Sequence, residues 1–209
     1  MPTPLLAVER LEKRYRRSRF SREATFHLTA DFHVEQPSTI GVLGANGSGK
    51  TTLFELITGS NFPNAGRVFV SGQNIHRVRY RERDRLAVHY HQSYQVRKIK
   101  RTAPSFLLER AVRQSPLVHL FDEPQFNLQD GYIGFMLNFF RLLRNDGHVV
   151  FLCLHPTEPY HLDILRESCE RFIFVRSGTL TIFESYDELT AHDSVRVYLG
   201  KLIGASGMP

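Results

Sequence analysis

Nine residues, Gly44–Thr52, carry the densest chemistry in the chain: Gly-Ala-Asn-Gly-Ser-Gly-Lys-Thr-Thr. Their spacing is Gly-x-x-x-x-Gly-Lys-Thr, a loop whose glycines let backbone N–H groups turn inward around an anion. The apolar run Thr39–Leu43 predicts a short buried strand ahead of it. After it, apolar residues at 53, 54, 56 and 57 predict a helix closed by Gly59. Strand, glycine loop and helix in this order aim a helix N-terminus, with its partial positive charge, at the anion. Lys50 would then reach the β- and γ-phosphates and the Thr51 hydroxyl would join a Mg²⁺ shell. Gly44, Asn46, Gly47, Ser48, Gly49 and Thr52 would line the phosphate cradle. The implied ligand is a nucleoside triphosphate with magnesium.

A second constellation is Leu117-Val118-His119-Leu120-Phe121-Asp122-Glu123-Pro124, an apolar strand ending in two carboxylates and a proline. Strand carboxyl ends form the ligand crevice of open α/β sheets, so both acids are expected to face the phosphates. Asp122 would hold Mg²⁺ through its water shell, and Glu123, one residue on, would polarise an attacking water. His155 closes the next apolar run, Val149–Leu154, within reach of the same crevice. Tyr15 and Phe20, in the basic segment Lys13–Phe20, could pack on the core, or one of them could offer a ring on which a purine stacks.

The elements that position these residues are legible in outline. Leu5–Leu11 and Thr25–Val34 read as early strands, the second alternating Phe26, Leu28, Ala30, Phe32 and Val34. Further strands are expected at Arg67–Ser71, Leu86–Tyr90 and His148–Leu154, with a hairpin at Phe172–Val175 and Thr179–Phe183. Helices are expected at Phe106–Val112, Tyr132–Leu143, Tyr186–Ala191 and Val195–Leu202, and Arg77–Arg85 as a short helix or exposed loop. Cys153 falls in a strand and Cys169 on a helix, both as reduced thiols in or near the core.

With 209 residues, 42% of them hydrophobic, the chain can bury one substantial core, and one domain over 1–209 is the expectation. No apolar run approaches the ~20 residues that span a bilayer, and the first residues do not resemble a signal peptide, so a cytoplasmic protein is expected. The net charge of +6 is clustered. Seven Arg/Lys lie between Arg10 and Arg22, five arginines alternate from Arg77 to Arg85, and four basic residues lie between Arg97 and Arg101. Such clusters suit an anionic membrane surface, an acidic protein face or nucleic acid.

In this order the pieces resemble the ATP-binding subunit of ABC transporters, over nearly the whole chain. Gly44–Thr52 is similar to Walker A, Gln92 to the Q-loop glutamine, Leu117–Glu123 to Walker B with its catalytic glutamate, and His155 to the switch histidine. Leu11-x-Lys13-x-Tyr15 resembles the segment bearing the adenine-stacking aromatic, which selects Tyr15. The run Val195-Arg196-Val197-Tyr198-Leu199-Gly200 resembles the tail of some subfamilies. The resemblance implies an α/β P-loop NTPase fold of the ABC ATPase type. Its core sheet would be mostly parallel, flanked by helices, with an N-terminal antiparallel β portion. It implies ATP and Mg²⁺ as cofactors, with Gln92 touching Mg²⁺ or water and His155 contacting the γ-phosphate beside Glu123. As partners it implies a second ABC ATPase subunit and a membrane permease, placing the chain on the inner face of the membrane. Nucleic acid is not expected, because the coiled-coil, zinc or tandem-domain additions of such relatives are absent.

Two departures stand out. Only 29 residues separate Gln92 from Asp122, and no Leu-Ser-Gly-Gly-Gln-like stretch occurs. Residues 93–115 would thus form a shortened helical subdomain with Lys98–Thr102 in the signature's place. Gln129 stands where the D-loop usually has an aspartate. Without glycine, Lys98–Thr102 hinders close backbone approach to a phosphate, so hydrolysis is expected to need a partner that supplies the signature. A non-transport ATP-dependent switch with little hydrolysis is the alternative.

Overall fold

The computed structural model describes residues 3–16, 24–91, 116–124 and 132–205. Its strands are β1 (Leu6–Arg16), β2 (Ala24–Val34), β3 (Thr39–Leu43), β4 (Ala65–Val70), β5 (Gln73–Asn74), β6 (Ala87–His91), β7 (Val118–Asp122), β8 (Val149–Cys153), β9 (Arg171–Arg176) and β10 (Thr179–Phe183). They form one sheet in the order β5-β4-β1-β2-β10-β9-β3-β8-β7-β6. From β9 to β6 neighbouring strands run parallel. From β5 to β2 they run antiparallel. The β9–β10 hairpin joins the two regions, through Thr179 against Thr29 and the Thr29 N–H to Gly178 carbonyl bond of 2.8 Å.

The parallel strands β3, β7 and β8 are buried along their whole length, as expected of strands covered on both faces. Alternate residues serve different layers. Val42, Leu120 and Phe151 pack with Leu53, Phe54 and Ile57 of the helix Lys50–Ile57. Phe121, Leu152 and Phe172 face the other way, onto Phe140 of the helix Tyr132–Asn145, Leu165 of Pro159–Ser168 and Val195 of Asp193–Leu199. Because β3, β8 and β7 run parallel side by side, their carboxyl ends meet at one rim.

Three expectations change. Strand β1 runs to Arg16 instead of stopping at Leu11, because Lys13, Arg14 and Tyr15 pair with Leu28, His27 and Phe26 after a bulge at Arg10, whose φ is 43°. The helix expected over 195–202 starts earlier, at Asp193, and ends at Leu199, where Gly200 turns the chain with φ 54°; Leu202–Ala205 is a separate turn of helix. Cys169 lies just past the helix Pro159–Ser168, in extended backbone. Both cysteines are buried and free. The expected helix Phe106–Val112 lies outside the described residues.

Within the core, His119 is fully buried, its ring stacked against Tyr90 and Phe121. The Tyr90 hydroxyl lies 3.2 Å from its Nδ1, and Nε2 has no partner among the described residues. Burial, then the charge of His148, holds its pKa down at about 3 against 6.5. The unfolded chain therefore binds a proton below pH 6.5 that the folded chain refuses, and stability falls with pH until about pH 3. The loss from pH 7 to pH 5 is about 2 kcal/mol. His119→Phe, which keeps the ring stack, should flatten urea-unfolding stability over that range by about this amount. His76 and His161, also held low by burial, leave a smaller slope of the same sign.

Candidate functional site

The glycine loop leaves the end of β3 and returns as the helix Lys50–Ile57. Two glycines make the path possible. Gly44 has φ +149°, and a Cβ there would stand 2.2 Å from the Val175 carbonyl oxygen. Gly49 has φ +116°, and its Cβ would meet Phe26 and Leu28 at 2.8 Å. The loop is tied down by the Ser48 N–H on the Ala45 carbonyl and by the Gly178 N–H on the Ser48 carbonyl. The tip of the β9–β10 hairpin is thus its buttress.

Lys50 is 6% exposed, and its ammonium donates to the carbonyls of Gly44 (2.7 Å) and Ala45 (3.0 Å). Among the described residues it has no carboxylate partner. A buried cation held by carbonyl dipoles alone is incompletely compensated, and an anion cradled by the loop would complete the compensation. The N–H groups of Lys50, Thr51 and Thr52, in the first helical turn, have no intrahelical acceptors and complete that cradle.

Beside it, the Thr51 hydroxyl donates to Asp122 Oδ2 at 3.0 Å, and His89 Nε2 lies 3.2 Å from the same oxygen. Burial would raise the Asp122 carboxyl. The hydrogen bond and charge of His89, with hydrogen bonds from Thr51 and Cys153, outweigh it and hold the carboxyl below its ordinary value. It is kept ionised, as a metal ligand must be. Among the described residues no three His, Cys, Asp or Glu converge on one point, so a hard cation here would draw further oxygens from phosphate and water. Glu123 follows in the left-handed region, φ +50°, its N–H donating to the Cys153 carbonyl at 3.0 Å. Strain of this kind in a non-glycine residue costs about 1–3 kcal/mol and gathers at functional sites.

A cavity of about 420 Å³ opens over these groups, walled by Lys50, Asp122, Glu123, Gly47, Tyr15 and Phe26 among others. Asn46, Gly49, Thr51 and Thr52 also line it, and Ser48 lies buried beneath. Tyr15 is 38% exposed; its hydroxyl accepts from Asn61 Nδ2 at 2.7 Å, and its ring lies 6.2 Å from that of Phe26. An exposed ring pinned by its hydroxyl beside the loop suits a stacking platform better than a core contact.

His155, two residues beyond β8, does not line the cavity; its Nδ1 lies 3.1 Å from the Tyr198 hydroxyl, which reaches the Gly44 carbonyl. Gln92, Lys98–Thr102, Phe20 and Gln129 lie outside the described residues. Three residues at the site carry no chemical signal in the sequence. Phe26 stands in the β2 alternation, on the apolar face with Leu28. Tyr198 stands in the tail run Val195–Gly200. His89 carried no local signal.

The fold and site define a class: an α/β cassette built around a P-loop. The model of the ABC transporter family matches residues 28–103. The lipoprotein-releasing system ATP-binding protein LolD of Xylella fastidiosa (strain 9a5c) is 35% identical over 83 residues, 40% of this chain and 34% of LolD. The ABC transporter ATP-binding protein YxdL of Bacillus subtilis (strain 168) is 22% identical, covering 98% of this chain and 94% of YxdL. The ADP conformation of MJ1267, an ATP-binding cassette of an ABC transporter, superposes with TM-score 0.72 at 16% identity, over 94% of this chain and 99% of that one. In sequence the chain is thus similar to ATP-binding proteins of ABC transporters, and its fold is that of an ATP-binding cassette. With LolD the match spans about a third of the relative's length.

Proposed function

We propose that the chain is the ATP-binding subunit of an ABC-type membrane complex, binding MgATP and hydrolysing it when a partner completes the site. The observation that carries this is the buried ammonium of Lys50, held by two carbonyls beside the Thr51–Asp122 pair. Lys50 and the loop N–H groups would bind the phosphates, and Tyr15 with Phe26 would receive the base. Thr51 and Asp122, with Gln92 by resemblance, would hold Mg²⁺, which would supply neutralisation of phosphate charge. Glu123 Oε would accept the proton of a water attacking the γ-phosphorus, with His155 orienting that water, as the bond from that phosphorus to the bridging oxygen breaks and ADP leaves.

The partner enters through what the sequence lacks. With no signature stretch, two copies of this chain would leave both composite sites without preorganised backbone donors, whereas a partner with a signature would complete one. Among the described residues no helix is long and apolar enough to cross a membrane, so attachment to the membrane would run through a permease. The short interval between Gln92 and Asp122 favours the second reading, a switch that binds ATP outside transport.

A pull-down with Glu123→Gln and MgATP tests the proposal. Slowed hydrolysis should trap the closed complex and retain a second ATPase subunit together with a polytopic membrane protein. Recovery of the chain alone would refute the partner-completed site, and a partner without any membrane protein would favour the switch.

A further inference from the structure

The hydroxyl of Tyr198 sits between two groups from distant parts of the chain. It donates to the Gly44 carbonyl at 3.1 Å and lies 3.1 Å from Nδ1 of His155. Tyr198 belongs to the helix Asp193–Leu199, whose Val195 and Leu199 are buried, and its ring packs against Phe174 of β9 at 5.4 Å. The oxygen is therefore held in place by the core.

A phenol has one proton to give. The Gly44 carbonyl can only accept, so the Tyr198 proton points there. Burial pushes the Tyr198 pKa up to about 12, and the proton stays on. Toward His155 the phenol oxygen then presents a lone pair, and Nδ1 must carry the hydrogen. We propose that Tyr198 is a positioning residue: its hydroxyl fixes His155 as the Nδ1–H tautomer and ties it to the first carbonyl of the phosphate loop.

The consequence concerns what His155 offers a nucleotide, and so rests on the functional reading above. A neutral imidazole of this tautomer has a lone pair at Nε2. It accepts a hydrogen bond from water, whereas the γ-phosphate contact that the resemblance implies would need hydrogen on both ring nitrogens. The neutral ring is thus suited to orienting the attacking water for Glu123. Gly44 gains as well: its carbonyl keeps the Tyr198 hydrogen bond when the Lys50 ammonium turns toward phosphate.

Long-range ¹H–¹⁵N correlation spectra of the ¹⁵N-histidine-labelled protein at pH 8 test this, with His155→Gln assigning the signals. In the wild type, the His155 spectrum should show a protonated Nδ1 and an unprotonated Nε2. In Tyr198→Phe, which keeps the ring packing and removes only the oxygen, the proton should shift to Nε2. A wild-type His155 protonated at Nε2 overturns the proposal, even if the variant fails to fold. So does a Tyr198→Phe spectrum that keeps Nδ1–H. Neither spectrum needs nucleotide, so the tautomer is decided independently of whether the chain binds MgATP.

Discussion

Lys50→Ala should abolish stabilisation by MgATP while leaving the unliganded protein about as stable as before. The wild type, at a ligand concentration of 100 Kd, should gain about 2.7 kcal/mol; the variant should gain close to none at that concentration. The reasoning lies in the two states of one side chain. Without ligand, the Lys50 ammonium is buried against two carbonyl oxygens and, among the described residues, no acid, so its desolvation is poorly offset. Removing it relieves that cost. The carbonyls left behind are not stranded, since Gly44 keeps the Tyr198 hydroxyl and Ala45 is exposed to water. With ligand, the same ammonium meets phosphate oxygens in a water-poor cavity, where a charge-assisted hydrogen bond is strongest. Thermal shift with and without MgATP reads both states. A variant with an undiminished MgATP shift would show that Lys50 does not hold the ligand, and the reading of the loop would fail with it.

What could be read from the sequence depended on whether its physical cause was local. The strands β3, β7 and β8 are predominantly apolar because both their faces are covered, and the glycine loop announces itself through residues that only an inward-turned backbone requires. Asp122 and Glu123 were legible for the same reason, as polar residues closing an apolar run. The extension of β1 through Lys13–Arg16 was not. Its side chains are charged or aromatic and it is held by backbone pairing with β2, a partnership that leaves no mark on composition. Tyr198 stands 154 residues from Gly44. Their contact arises because β9 and β3 are neighbours in the sheet and the helix Asp193–Leu199, the second after β10, packs against β9 through Tyr198 and Phe174. His89 meets Asp122 only because β6 lies beside β7. Contacts made by topology are invisible to a reading that moves along the chain.

Gly44→Ala should be the most disruptive single-methyl change at the site, costing on the order of 4 kcal/mol or more. Space and backbone conformation both oppose it. The new Cβ would stand 2.2 Å from the Val175 carbonyl oxygen and 2.8 Å from the Ser48 hydroxyl, at φ +149°. Ser48 could rotate, but Val175 cannot yield cheaply. It is fully buried in β9, and that strand is locked to β3 through Leu43 against Phe174 and Val42 against Ile173. Relief would have to come from parting the two central strands or moving the loop, and either displaces Lys50 and the Tyr198 contact. Gly47→Ala is the control. It also has a positive φ, +76°, but its Cβ meets nothing within 4 Å, so the expected cost is about 1–2 kcal/mol from the backbone alone. Urea unfolding of the two variants should separate them by at least ~2 kcal/mol. Equal stabilities would mean that the hairpin does not buttress the loop as the geometry requires. If the gap is found and Gly47→Ala also loses MgATP binding, the division is chemical: Gly44 is glycine because the sheet stands against it, and Gly47 because the ligand does.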